Sequence, residues 1–319
     1  MSSLRAFRRD YINLDYPIQE IESHYLEWVK DTRYMILTRW NKKTQTNEVY
    51  AVKCAKRGND VYHFRVRRRF EGLTSMADEM VFFNPKDHRP KKTRALWTTL
   101  TYDSKRCSFK EAWNNIGKEF NRFMSFTRKK FGKVSCCRVF ESFENGYPHI
   151  HTILLFESTW FDAFRDRKGQ FRIDSKDVLA EGWHSNIDVK AMSSLVGGFH
   201  YLKKYLLKSI DVEKADSKGL KTLALCWAFM KRAFSVSGLF RRMLSEMIRE
   251  LTAMKKRIHQ TTLSGDVLDE EKFHVIGFVP IAVLGLKEDN WFKKLDTDQI
   301  NSLEEYFSRP KTGWTTFEF

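Results

Sequence analysis

Residues 137–151 read Cys137-Arg138-Val139-Phe140-Glu141-Ser142-Phe143-Glu144-Asn145-Gly146-Tyr147-Pro148-His149-Ile150-His151. Two histidines at a spacing of two on a strand point to one face, because the side-chain period of a strand is two. Neutral imidazoles placed in this way can grip one divalent cation. Glu141, on the partner strand of a hairpin, adds a carboxylate oxygen if it lies on the same face. Directly opposed residues of an antiparallel pair share a face, so the loop length decides this. A loop of odd length over 144–148 closes 143 on 149 and sets Glu141 opposite His151; an even loop turns Glu141 away. An odd loop or a bulge is therefore expected. A His-x-His pair alone is a loose signal; the upstream acid across a hairpin is what gives it weight.

A second group lies in His200-Tyr201-Leu202-Lys203-Lys204-Tyr205-Leu206-Leu207-Lys208. On a helix, Tyr201, Lys204, Tyr205 and Lys208 fall on one face at i, i+3, i+4 and i+7. Leu195, Phe199, Leu202 and Leu206 face elsewhere and would pack on a sheet. Amphipathic tyrosines flanked by lysines are common packing residues, and nothing in this helix alone demands more. A phenol with a pKa of about 10 is a weak nucleophile at neutral pH. Ammonium groups and a cation-polarised phosphate nearby remedy that. A third segment, Trp97-Thr98-Thr99-Leu100-Thr101-Tyr102, puts Trp97, Thr99 and Thr101 on one strand face.

The 319-residue chain carries 56 Lys and Arg against 40 Asp and Glu, a net charge of +16. Such an excess argues about partners, and a polyphosphate chain is the commonest one. The five cysteines form no CxxC pair, which excludes a zinc knuckle and suits reduced thiols. The N-terminus MSSLRAFRRD has no apolar stretch of a secretory signal, and no run of about 18 apolar residues follows. A cytoplasmic protein without a membrane partner is expected. Gly219-Leu220-Lys221-Thr222 lacks the upstream glycine loop of a nucleotide-binding motif.

The elements that would position these groups follow from patterning. Strands are expected over Arg33–Arg39, Glu48–Cys54 and Val61–Phe70, the last placing Arg65, Arg67 and Arg69 on one face. That face could track a phosphate backbone or be a solvated surface. Residues 84–94, with Lys91 and Lys92, read as a basic linker and a second candidate for DNA contact. Ala95–Tyr102 is a strong strand. Ser108 and Glu111 form a capping box that opens a helix over 108–131. Strands Val134–Phe143 and His149–Phe156 flank the Asn145-Gly146 turn. Ile187–Lys190 reads as a strand, and Leu195–Ser209, 221–233, 239–260 and 297–307 as helices; Phe273–Leu284 reads as one or two strands. This mixture implies an α+β fold: a central antiparallel sheet of about five strands flanked by helices. Three regions are expected: a basic, β-rich 1–94, a core over 95–212 and a mostly helical 213–319.

Taken in order, the strand WTTLTY, the hairpin to PHIH and YLKKYLLK resemble the three motifs of the HUH endonucleases. These include rolling-circle replication initiators, relaxases and some transposases. The ENG-x-PH-x-H turn is similar to initiators of small circular single-stranded DNA viruses, whereas YLKKYLLK is closer to two-tyrosine phage and archaeal initiators. The resemblance covers roughly residues 95–210. It implies an RNA-recognition-like core in which His149, His151 and Glu141 hold Mg²⁺ or Mn²⁺. It also implies Tyr201 or Tyr205 as nucleophile, with Tyr201 slightly favoured, and Lys204 and Lys208 steering phosphate or metal. The implied function is nicking and rejoining of single-stranded or hairpin origin DNA, with a host helicase and polymerase as partners. The alternatives are a relaxase or transposase of the same chemistry and a non-catalytic nucleic-acid binder.

Overall fold

The structure is a computed structural model and describes residues 14–42, 44–75, 77, 80–246, 249, 273–286 and 290–309. Its centre is a five-stranded antiparallel sheet, formed by β4 (Ala95–Thr101), β5 (Val134–Ser142), β6 (Pro148–Phe156), β9 (Ile187–Ala191) and β10 (Phe234–Ser237). The strand order is β10-β5-β6-β4-β9. β5 and β6 are buried almost throughout, so the sheet is covered on both faces.

Alternation sorts the side chains between two cores. Leu96, Leu100, Phe140, Ile150 and Leu154 face α1 (Ile18–Lys30), α3 (Phe109–Phe131) and α6 (Ser217–Ala228). Ala95, Trp97, Cys137, Val139, Ile153 and Leu155 face α2 (Asp60–Ser75), α5 (Leu195–Lys208) and a helix over 239–246, α7. The adjacent Cys136 and Cys137 accordingly enter different cores. α3 begins at the expected capping box, with both Ser108 and Glu111 contributing their bonds. α5 buries Leu195, Phe199, Leu202 and Leu206.

Two smaller sheets adjoin this unit. β1 (Arg33–Asn41) and β2 (Thr46–Lys53) combine with β11 (His274–Pro280) and β12 (Phe292–Lys294) in the order β11-β1-β2-β12. A core of Tyr34, Ile36, Ala51, Val279, Leu284 and Leu303 joins that sheet to α8 (Thr297–Ser308). Segments from near the two ends of the chain thus share one sheet. The other is β3 (Lys91–Thr93) with the hairpin β7 (Phe161–Arg165) and β8 (Phe171–Ile173), followed by α4 (Lys176–Glu181).

Three expectations require correction. Val61–Phe70 is not a strand but part of α2. Val66, Phe70 and Leu73 are buried at helical spacing, and the Asn59 carboxamide oxygen accepts from Tyr62 N at 3.0 Å, capping the first turn. Arg65, Arg67 and Arg69 advance by about 200° at each step on such a helix and share no face. The stretch 84–94 is not wholly a linker, since Lys91–Thr93 pairs with β7. Phe273–Leu284 holds one strand, after which Ile281–Leu284 forms a 3₁₀ turn. The helix expected over 239–260 is described as far as 246; residues beyond it, 249 excepted, lie outside the described residues.

Candidate metal centre and tyrosine helix

The β5–β6 hairpin closes more tightly than its sequence suggested. Phe143 N donates to Tyr147 O at 2.8 Å and Gly146 N to Phe143 O at 3.0 Å. Gly146 has φ +85°, the left-handed conformation of a bulge after a turn. The loop is therefore Glu144–Gly146, still odd, and the pairing runs Ser142↔Pro148, Glu141↔His149 and Val139↔His151. Glu141 thus lies opposite His149 rather than opposite His151 as expected. The slip is a whole two-residue period, so Glu141 stays on the face of both histidines. Trp113 of α3 donates Nε1 to Gly146 O at 2.8 Å, tying the turn to the opposite core.

Glu141 Oε2 lies 2.6 Å from His149 Nε2 and 2.9 Å from His151 Nε2. All three residues are buried. Among the described residues, this trio offers three metal-ligating atoms within 4.8 Å of one another. Neighbouring ligands around an octahedral Mg²⁺ stand about 3 Å apart, given bonds of about 2.1 Å. The two N–O separations fit that edge length, and two imidazoles with a carboxylate fit Mg²⁺ or Mn²⁺ among other divalent ions. His151 Nδ1 lies 3.2 Å from Thr99 Oγ1, on the strand opposite, so the ring has a hydroxyl partner behind its ligand nitrogen. His149 is stacked on Phe143 at 4.1 Å, and its Nδ1 is buried without a hydrogen-bond partner.

Burial pushes the Glu141 carboxyl up. Hydrogen bonds to His149 and His151, their charge and a bond to Lys218 outweigh it and hold the group well below the usual carboxylate range. Burial is also the largest influence on His151, which is pulled down to about 4 against the pull of Glu141. His151 is therefore neutral at pH 7, as a metal ligand must be.

α5 lays its tyrosines over this site. Tyr205 stacks on His151 with ring centroids 3.8 Å apart, and Trp97 meets His151 at 5.5 Å and Tyr201 at 4.7 Å. Tyr205 donates its hydroxyl to Tyr201 Oη at 3.0 Å. Burial, followed by that donated bond, pushes the Tyr205 phenol well above its ordinary value. Tyr201 is 40% exposed and its hydroxyl is an acceptor in this pair. Lys204 Nζ lies 6.0 Å from the Tyr201 ring, whereas Lys208 pairs with Asp216 at 3.7 Å.

Residues 95–210 match the family model of the replication-associated protein ORF2. This is a rolling-circle replication initiator family, and the match spans β4, the metal-ligating hairpin and α5. No curated protein and no solved structure matches the chain.

The expected DNA contacts lie apart from one another. Arg67 is held by Glu71 at 2.8 Å and Arg69 lies 5.7 Å over the Phe234 ring, while Arg65 is exposed. Lys91 donates to the carbonyls of Asp87 and Arg89, and Lys92 pairs with Asp162 at 3.5 Å. One site residue was missed: Lys218, at the start of α6, has its ammonium 3.0 Å from Glu141 Oε1. Its sequence carries a start signal, Asp216 as N-cap two residues earlier, but nothing that places this helix end beside the hairpin. Among the described residues, no helix is long and apolar enough to cross a membrane.

Proposed function

We propose that this protein initiates rolling-circle replication by nicking single-stranded origin DNA through a tyrosine transesterification, and later rejoins the ends. The observation that carries this reading is the packing of the tyrosine pair directly on the buried Glu141–His149–His151 trio. A metal-water hydrolase would need the trio but not the tyrosines.

A divalent cation on His149, His151 and Glu141, Mg²⁺ or Mn²⁺, would neutralise a non-bridging oxygen of the scissile phosphate and polarise phosphorus. The Tyr201 oxygen attacks phosphorus in line, forming a 5′-phosphotyrosine as the bond to the 3′ oxygen breaks. Tyr205 donates to the attacking oxygen and keeps it oriented. Lys204 sits on the same exposed face, where an ammonium group can meet the phosphate backbone. The proton lost by the phenol balances the one gained by the 3′ oxygen, leaving a free 3′-OH to prime synthesis. The phosphodiester is exchanged rather than hydrolysed, so rejoining needs no ATP. Unwinding and synthesis fall to a host helicase and polymerase. Residues 1–94 and 213–319 then serve origin recognition around the 95–212 core.

The test is a randomised single-stranded oligonucleotide library incubated with the full chain and Mn²⁺. A covalent adduct should retain a 3′ label, release a 5′-labelled fragment and vanish in the Tyr201→Phe, Tyr205→Phe double variant. Cleavage without an adduct would replace this reading with hydrolysis.

A further inference from the structure

The first turn of α6 lies beyond the matched residues 95–210, yet it joins the two halves of the site. Asp216 caps it by accepting from Gly219 N at 2.7 Å. Thr222 Oγ1 accepts from Ser142 N, the residue after Glu141, at 3.0 Å. Lys221 donates to Glu144 O in the hairpin turn at 2.6 Å. Gly219 lies so close to the end of α5 that a Cβ there would come within 2.4 Å of Lys208 O. From this anchored turn Lys218 reaches Glu141 Oε1 at 3.0 Å, while both imidazoles meet the other oxygen, Oε2.

We infer that Lys218 is a positioning residue of the metal centre: it holds the outer oxygen of Glu141 so that the carboxylate presents a single oxygen to the ion-binding side. The inference rests on the metal-dependent reading above and extends the working unit past residue 210. A carboxylate with one oxygen engaged by an ammonium group cannot swing to a two-oxygen grip without losing a charge-assisted bond. Partners behind a ligand commonly matter this much: their removal weakens metal binding or activity by roughly 10–100-fold.

Position and charge act in opposite directions at Lys218. Removing a positive charge beside the site would, by Coulomb's law alone, tighten the binding of a cation. Removing the bond that orients Glu141 weakens it. Mn²⁺ is titrated into the full-length protein without DNA, and free Mn²⁺ is followed by electron paramagnetic resonance. Lys218→Met should bind Mn²⁺ about 10-fold or more weakly, and Lys218→Arg should recover most of that affinity. If Lys218→Met fails to fold by circular dichroism, Lys218→Gln, uncharged and polar, carries the comparison. Unchanged or tighter binding in the folded variant, with Glu141→Gln and His151→Gln still losing the ion, overturns this inference alone. A wild-type chain that binds no Mn²⁺ overturns the metal-dependent reading and this one with it.

Discussion

Tyr205 lies nearly face-on to His151, with ring centroids 3.8 Å apart and planes inclined by 31°. The contact leaves Tyr205 half-buried and sends its hydroxyl toward Tyr201, so the two phenols are not equivalent. The inner one donates; the outer one accepts and is open to solvent. Tyr201→Phe should therefore abolish the first covalent adduct, while Tyr205→Phe should slow it and leave it detectable. Mass spectrometry of the adducted peptide checks this, and an adduct mapped to Tyr205 in the wild type reverses the assignment.

Stability should depend on pH through the same site. In metal-free protein His151 is held down to about 4, chiefly by burial, so the native state disfavours the imidazolium. The unfolded chain takes up the proton near the ordinary value of about 6.5. The contribution of His151 is thus fully present above about 6.5 and is lost as the pH falls toward about 4. Glu141, also depressed, adds a loss of the same sign once the pH drops below about 4.3. Melting temperatures measured with a chelator should fall between about pH 7 and about pH 5, and His151→Gln should flatten that slope. Saturating Mn²⁺ should raise the melting temperature of the wild type, by about 2.7 kcal/mol of stability at roughly 100 times its Kd.

The chemistry of β4, the hairpin and α5 was legible in the sequence because periodicity there is unambiguous. Ser108 with Glu111 marks a helix start that folds as written, and His-x-His on a strand allows one geometry. The reading failed where two periods compete. Arg65, Arg67 and Arg69 alternate with other residues in a way that imitates a strand, yet Val66, Phe70 and Leu73 decide the outcome by packing on α5 and β10. Parity of the hairpin loop could be argued from residue types, but its length depended on the bulge at Gly146. Lys218 was invisible for a different reason: its bond with Glu141 joins distant parts of the chain and exists only after α6 docks on β5. Local patterns do not encode such a distance.

Gly146 should couple folding to metal binding. Its φ of +85° costs a residue with a side chain about 1–2 kcal/mol. A Cβ there would also come within 2.3 Å of Ile18 Cδ1, on the first turn of α1. Gly146→Val should lower stability by about 2 kcal/mol or more through the added strain and weaken Mn²⁺ binding, since the turn sets the Glu141↔His149 register. Gly169, whose φ is +74° with nothing within 4 Å, is the control: Gly169→Val should cost stability without touching Mn²⁺ affinity. An equal drop in Mn²⁺ binding in both variants would remove the link between turn and site.

The arginines of α2 lie beside the tyrosine helix, because Phe70 packs on Phe199 at 5.8 Å and Lys203 of α5 pairs with Glu71 at 3.0 Å. Arg65 and Arg68, three apart on this helix and both exposed, share a surface that a strand would have denied them. Arg67 is engaged by Glu71. If the strand entering the site crosses α2, Arg65→Ala with Arg68→Ala should weaken single-stranded DNA binding more than Arg67→Ala does. For each phosphate no longer neutralised, the slope of log K against log salt should shrink by about 0.7. Fluorescence anisotropy across a salt series measures both quantities. A double variant with the wild-type slope would place the path of the DNA on another face and leave α2 a structural support for α5.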